Sequence, residues 1–129
     1  MGKILVVDDY EMTLFAMRTL LEQGGHQVIT ARNGKGVADL IRRLKPDLMI
    51  TDILMPEQDG LGLIGEVRDF DSTLPIIAVS GGGMAVGTNY LDYARDMGAN
   101  AILTKPFRQG ELMELVNRLI RTSPAPGPV

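Results

Sequence analysis

The sequence contains no cysteine. Disulfide bonds and thiolate metal sites are therefore excluded, and packing must supply the stability of the fold. Basic residues are not in excess, since 13 lysines and arginines stand against 16 aspartates and glutamates, for a net charge of −3. This balance gives no electrostatic reason to expect nucleic acid or an anionic membrane as a partner. A small molecule or another protein is the expected partner.

Long apolar runs are also missing. None approaches the roughly 20 residues that a membrane span requires, and the apolar start of the chain is too short for a signal peptide before two aspartates interrupt it. We therefore expect a cytoplasmic protein. We expect one folded domain over residues 1–121, and a disordered tail or truncated linker over the proline-rich residues 122–129.

Short apolar runs alternate with segments of helical spacing. The runs are typical of buried strands and lie at KILVV (3–7), QVIT (27–30), DLMIT (47–51), PIIAVS (75–80) and AILT (101–104). The helical segments cover about residues 12–20, 37–44, 61–68, 90–97 and 112–119. Strands that are apolar on both faces belong to parallel sheets covered by helices. We predict an α/β fold, a doubly wound five-stranded parallel sheet in the order 2-1-3-4-5 with five helices.

Polar residues stand at the carboxyl ends of these strands, where doubly wound sheets bind ligands. They are Asp8 and Asp9 after the first strand, Asp52 after the third, Ser80 at the end of the fourth and Lys105 after the fifth. Three carboxylates in one cleft repel each other by about 3 kcal/mol per pair at roughly 5 Å and an effective dielectric near 20. The Lys105 ammonium and a hard cation, for which Mg²⁺ is the natural choice, would offset this repulsion. Such a cleft suits phosphoryl transfer.

Each of these residues also has a simpler interpretation. Asp8 and Asp9 could cap the first helix, Asp52 could belong to a turn, and Lys105 could be a solvated charge. Their placement on neighbouring strand ends favours the shared site. His26, in a glycine-rich turn, is expected to be a surface residue without a ligand role. The glycines at 81–83 do not match GxxxxGK[ST] and are interpreted as a flexible connection.

Four motifs occur in a fixed order: VVDD (6–9), DILMPEQDG (52–60), AVS (78–80) and TKPF (104–107). In order and spacing they resemble the receiver domain of bacterial two-component response regulators. The resemblance implies the flavodoxin-like receiver fold and a phosphorylation-dependent signalling switch that assists its own phosphorylation and turns over no external metabolite. The implied partners are a sensor histidine kinase or phosphotransfer protein as donor, and a downstream protein target or a missing output domain.

The resemblance also implies residue roles. Asp52 would accept the phosphoryl group from a phosphohistidine. Asp9 would bind Mg²⁺ directly and Asp8 through water, with Asp52 and the backbone carbonyl of Leu54 as further ligands.

The remaining roles concern the rim of the site. Lys105 would pair with one phosphoryl oxygen, and the Ser80 hydroxyl would bond another and shift on activation. A cis peptide before Pro106 would aim Lys105 into the cleft, and Gly60 would serve the turn after the third strand.

The chain departs from the family pattern at three places. Ile102 stands where many receivers have the aromatic half of the switch, and the longer segment 81–89 could replace it as the responsive element. Leu54 and Gly82 stand where family members often carry polar side chains that position the hydrolytic water, so a long-lived phosphoryl group is expected.

Two rival functions remain open on the sequence. A Mg²⁺-dependent phosphohydrolase would use Asp52 as nucleophile, but the usual second aspartate is replaced by Leu54, so no general acid is evident. A vestigial receiver acting as a phosphorylation-independent interaction module is disfavoured, because Asp9, Asp52, Ser80 and Lys105 are all present.

Overall fold

The computed structural model describes residues 2–53, 60–80, 94–105 and 107–122. Strands and helical segments alternate along them. The strands are β1 (Lys3–Val7), β2 (Gln27–Ala31), β3 (Leu48–Asp52), β4 (Ile76–Ser80) and β5 (Ala101–Thr104). The helical segments are α1 (Glu11–Gln23), α2 (Val37–Leu44), α3 (Gly60–Phe70), α4 (residues 94–97) and α5 (Gln109–Thr122). Each predicted strand is present, with both of its ends within one residue of the prediction.

The strands form one parallel sheet in the order β2-β1-β3-β4-β5, which confirms the predicted topology. Val7, at the end of β1, lies opposite Ala31 on one side and Thr51 on the other. Ser80, at the end of β4, lies opposite Thr104. The carboxyl ends of the strands therefore lie within two residues of one another, and residues that follow them share one edge of the sheet.

Helices cover both faces of this sheet, so the central strands are buried on both sides. One face packs against α2 and α3, through Val37, Ile41, Leu63, Ile64 and Val67. The other packs against α1 and α5, through Leu14, Met17, Leu21, Leu112 and Val116. This double coverage explains why the strands appear in the sequence as nearly continuous apolar runs.

Helix α1 is present as predicted, but it buries a different face from the one that the helical spacing of Met12, Phe15 and Leu20 indicated. Leu14, Met17 and Leu21 face the core, whereas Met12 and Phe15 are 65% and 69% exposed. Apolar residues occur around much of the circumference of this helix. The spacing alone therefore does not decide which stripe packs on the sheet.

His26 is buried, and the expectation that it is a surface residue is wrong. Its Nδ1 accepts the backbone N–H of Gly2 at 3.1 Å, and its Nε2 lies 3.2 Å from Oδ1 of Asn117. Because Nδ1 accepts a hydrogen bond, Nε2 carries the proton and donates to Asn117. The imidazole thus connects the turn after α1 to the start of β1 and to α5, and its role is structural.

The predicted tail falls mostly outside the described residues. Helix α5 extends to Thr122, one residue past the predicted end of the domain at residue 121. The boundary between the domain and the tail stays a prediction. None of the described helices combines the length and the apolar character that a membrane crossing requires.

Candidate functional site

Asp8 directly follows β1 and directs the chain toward α1. Its backbone N–H donates to the carbonyl of Ala31 at 3.0 Å, which keeps it in register with β2. Its Oδ1 accepts the backbone N–H of Tyr10 at 2.9 Å, a side-chain turn typical of aspartate. Tyr10 is the N-cap residue of α1, so Asp8 and Asp9 precede the cap, and helix capping does not account for them.

Asp52 is the last residue of β3, and two hydrogen bonds hold the peptide unit that follows it. The N–H of Ile53 donates to the carbonyl of Val79 on β4 at 2.9 Å. The hydroxyl of Thr51 donates to the carbonyl of Asp52 at 3.0 Å. The peptide unit that follows Asp52 is therefore bonded through both its C=O and its N–H.

The three carboxylates meet at the edge of the sheet as the sequence predicted. Oxygen atoms of Asp8, Asp9 and Asp52 all lie within 4.8 Å of one another. Asp8 is buried, and Asp9 is the more exposed of the two. At this separation the carboxylates repel one another, and the repulsion requires nearby positive charge.

Lys105 supplies one such charge. Its Nζ lies 3.1 Å from Oδ2 of Asp8 and 3.7 Å from Oδ2 of Asp52. The side chains of Lys105, Asp8 and Asp52 are 26%, 3% and 12% exposed, so solvent screens these ion pairs much less than surface pairs. The backbone N–H of Lys105 donates to the carbonyl of Ser80 at 2.7 Å, which joins the residue to the end of β4.

The other predicted site residues are only partly covered by the structure. Ser80 is buried at the end of β4, Ile102 is half-buried on β5, and Gly60 is the first residue of α3. Three predictions fall outside the described residues and stay predictions: the Leu54 carbonyl ligand, the cis peptide before Pro106 and the responsive segment 81–89.

The donor set of the cluster fits Mg²⁺. Its three members offer only carboxylate oxygens, which hard cations prefer. The chain has no cysteine, and its one histidine, His26, is bonded to Gly2 and Asn117. Nitrogen and sulfur ligands, which zinc favours, are therefore not part of the cluster. Both oxygens of Asp8 already accept hydrogen bonds, from Tyr10 and Lys105, which agrees with the water-mediated contact to Mg²⁺ that the resemblance implies.

Two contributors to the site were missed by sequence reasoning. The backbone N–H of Tyr10 carries no signal in the sequence, because every residue except proline has one. The hydroxyl of Thr51 does leave a signal in the sequence, because a polar residue ends the apolar run LMI immediately before Asp52.

The model of the response regulator receiver domain family matches residues 4–117. The chain therefore belongs to the response regulator receiver domain family. Its motifs, its sheet order and its acidic cluster all agree with this assignment.

Relatives of this chain differ in length. The uncharacterized 14.6 kDa protein in the sodA1 3′ region of Leptolyngbya boryana is 38% identical, over 89% of this chain and 87% of its own. Protein PilH of Pseudomonas aeruginosa is 31% identical over 93% of this chain and 98% of its own. Response regulator MprA of Mycobacterium sp. (strain KMS) is 34% identical over 98% of this chain but only 54% of its own. The chain thus spans nearly all of some relatives and about half of others.

A solved receiver domain has the same fold. The crystal structure of the receiver domain of NtrX from Brucella abortus superposes with a TM-score of 0.86 at 30% sequence identity. The superposition covers 93% of this chain and 99% of that one.

Proposed function

We propose that the chain is a phosphorylation-dependent signalling switch that accepts a phosphoryl group from a phosphohistidine donor onto Asp52 with Mg²⁺. One observation carries the proposal: Asp8, Asp9 and Asp52 form a single carboxylate cluster, and Lys105 pairs with two of its members. A cluster that includes the buried Asp8 and the half-buried Asp52 costs free energy unless it binds a charged group.

The chemical step follows from the nature of Asp52. A carboxylate oxygen of Asp52 attacks the phosphorus atom, and a new P–O bond forms while the P–N bond to the donor imidazole breaks. The imidazole nitrogen keeps the electron pair of the broken bond. The product is an acyl phosphate on Asp52, which water later hydrolyses to regenerate the carboxylate.

The surrounding residues stabilise the charge that the phosphoryl oxygens carry. The ammonium of Lys105, already 3.7 Å from Asp52, is close enough to pair with one of them. The hydroxyl of Ser80 can donate to another from the end of the adjacent strand. Mg²⁺, held by Asp9 and Asp52 and through water by Asp8, would neutralise phosphoryl charge and orient the donor for in-line attack.

In this proposal the protein is a switch and not an enzyme acting on a metabolite. It assists its own phosphorylation and dephosphorylation in the cytoplasm, and the result of the reaction is a changed surface. The donor is a sensor histidine kinase or a phosphotransfer protein. The changed surface acts on a downstream protein or on an output domain.

The proposal is tested by incubating the protein with Mg²⁺ and acetyl phosphate, or with a phosphorylated histidine kinase, and measuring its intact mass. We expect the mass to rise by one phosphoryl group in the wild type and to stay unchanged in Asp52→Asn. Asp69→Asn, which removes an exposed carboxylate on α3, is the matched control and should react like the wild type.

The same measurement separates the rival functions. If no donor phosphorylates the wild type, the chain is a vestigial interaction module and the proposal is wrong. If the protein instead hydrolyses a phosphate ester with steady turnover, it is a phosphohydrolase.

A further inference from the structure

Thr51 is an unusual residue for its position. Its side chain is fully buried, at 0% exposure, in the central strand β3. On either side in the sheet it lies opposite Val7 and Ala78, which are both apolar. Valine has nearly the same shape as threonine and would fill this position without a polar atom. A buried hydroxyl costs free energy unless it is hydrogen-bonded, so its bonding pattern should indicate why it is there.

Other buried polar side chains have evident roles. Among the described residues the buried polar side chains besides Thr51 are those of Asp8, His26 and Ser80. Asp8 and Ser80 lie in the site, and His26 connects Gly2 to Asn117. The remaining hydroxyl, that of Thr51, donates to the carbonyl of the neighbouring Asp52 at 3.0 Å.

The bonded carbonyl belongs to the peptide unit between Asp52 and Ile53. In a trans peptide the C=O and the N–H point in opposite directions. The N–H of this unit, on Ile53, bonds to Val79 of β4. Its C=O therefore points away from β4, toward the side of β1. The pairing of β1 with β3 ends at Val7 and Thr51, one residue before Asp52. The Asp52 carbonyl therefore lies past the last paired residues of these two strands, and the Thr51 hydroxyl donates to it instead.

We propose that Thr51 is a positioning residue for the phosphoacceptor. Its hydroxyl fixes the rotation of the peptide unit after Asp52 and thereby keeps the Asp52 carboxylate within the cluster formed with Asp8 and Asp9. Rotation of this unit changes ψ of Asp52 and φ of Ile53, so it displaces the residues on both sides of it. Small displacements of a reacting group lower phosphoryl-transfer rates strongly, because such reactions depend on positioning. The inference rests on the proposed function of Asp52.

Two variants separate the hydroxyl from the bulk of the side chain. Thr51→Val keeps the shape and removes the hydroxyl, whereas Thr51→Ser keeps the hydroxyl and removes a methyl group. The first measurement is the Mg²⁺ concentration that gives half the maximal rate of phosphorylation by acetyl phosphate. The second is the hydrogen-exchange rate of the Ile53 amide in protein without Mg²⁺ or donor, and thermal unfolding shows that each variant is folded.

We expect Thr51→Val to need about threefold to tenfold more Mg²⁺ and to exchange the Ile53 amide faster by a similar factor, the range that corresponds to one hydrogen bond. Thr51→Ser should stay within about twofold of the wild type in both measurements. A structural role alone would lower the thermal midpoint of Thr51→Val without changing its Mg²⁺ requirement.

The inference is overturned if Thr51→Val matches the wild type in either the Mg²⁺ requirement or the Ile53 exchange rate, or if both variants change equally. Failure of the proposed function gives a different result. In that case the wild type accepts no phosphoryl group from any donor. The Ile53 exchange rate still decides whether the hydroxyl holds the peptide, and equal exchange in Thr51→Val and the wild type shows that it does not.

Discussion

Asp9 and Lys105 act on the same carboxylates with opposite sign. Asp9 adds negative charge to Asp8 and Asp52, whose oxygens lie within 4.8 Å of its own, and Lys105 adds positive charge to both. Removing one or the other should therefore change the stability in opposite directions when no cation is present.

We expect Asp9→Asn to raise the free energy of unfolding by about 1 kcal/mol in buffer without Mg²⁺. This increase is well below the ~3 kcal/mol by which two carboxylates shielded from water repel each other at roughly 5 Å. The reason is that Asp9 is partly exposed, so water screens its charge. Added Mg²⁺ should stabilise the wild type, since it binds the folded state, and should have little effect on the variant. Urea unfolding with and without Mg²⁺ measures both effects.

Asp69→Asn is again the control, and its response to Mg²⁺ should equal that of the wild type. A lower stability of Asp9→Asn without Mg²⁺ would show that the three carboxylates do not repel one another in the folded protein.

Leu54 stands two residues after Asp52 in the chain. Because Leu54 cannot hold a hydrolytic water as a polar side chain would, we expect the acyl phosphate on Asp52 to hydrolyse severalfold faster in Leu54→Asn. The decay of the phosphorylated mass after removal of the donor measures this lifetime. Equal lifetimes in the two proteins would count against a role for position 54.

The residues of the site could be predicted from the sequence because they follow strands in a parallel sheet. Asp8, Asp52 and Lys105 needed only the strand order and the rule that ligands bind at the carboxyl edge. Thr51 could not be assigned in this way. The significance of its hydroxyl depends on the direction of one backbone carbonyl, which side-chain patterns do not encode.

Arg68 connects the end of α3 to the turn before β5 and, through Asn100, to the start of β4. Its guanidinium donates to the carbonyl of Gly98 at 2.8 and 3.1 Å, to the carbonyl of Asp71 at 3.0 Å and to Oδ1 of Asn100 at 2.9 Å. Asn100 in turn accepts the N–H of Ile76 at the start of β4. Gly98 has a φ of 122°, and a Cβ there would lie 2.8 Å from the Arg68 side chain. This position therefore requires glycine for two reasons.

Asp71, just after α3, makes the folded state sensitive to acid. Burial alone would raise the pKa of its carboxyl, but hydrogen bonds from Thr73 and Leu74, together with the charge of Arg68, outweigh burial. The pKa of Asp71 therefore lies below its usual value of 3.8. A carboxyl with a depressed pKa stabilises the fold above its unfolded value, and this contribution is lost as the pH falls through the folded value.

We expect the wild type to be more stable than Asp71→Ala by an amount that is constant above about pH 5 and shrinks below about pH 4. Chemical unfolding at a series of pH values measures the difference, and Asp69→Ala, on the exposed side of α3, is the control. A difference that grows on acidification would contradict the depressed pKa.

The elements themselves were largely predictable, and their packing was less so. Short, nearly continuous apolar runs between helical segments are typical of strands buried on both faces, so the positions of the strands followed from the sequence. The buried face of α1 did not, because Met12 and Phe15 form as good a helical stripe as Leu14, Met17 and Leu21. Only the contact with the sheet and α5 decides between the stripes.

For the molecule as a whole, the exposed stripe of α1 lies beside the site. Met12 lines a groove of about 450 Å³ together with Lys105, and it lines an adjoining groove of about 430 Å³ together with Phe15. Exposed apolar surface of this kind marks protein contacts. Under the proposed function, a protein donor that brings a phosphohistidine to Asp52 would cover this surface, whereas a small donor would not.

We expect Phe15→Ala to lower the rate of phosphoryl transfer from a phosphorylated histidine kinase about tenfold, the effect of losing one apolar anchor. Transfer from acetyl phosphate should be unchanged, and Phe70→Ala, which truncates an exposed phenylalanine on α3, should react like the wild type with both donors. Equal losses with both donors would show that Phe15 supports the site and not the contact.

The ion pair between Lys105 and Asp8 joins residues that are 97 positions apart in the chain. A chain still being synthesised therefore has no complete site until Lys105 has left the ribosome and β5 has paired with β4. Under the proposed function, nascent or truncated molecules that lack Lys105 would not accept the phosphoryl group even though Asp52 is already present in them. In a cell, the pool of phosphorylated molecules would then consist only of finished domains.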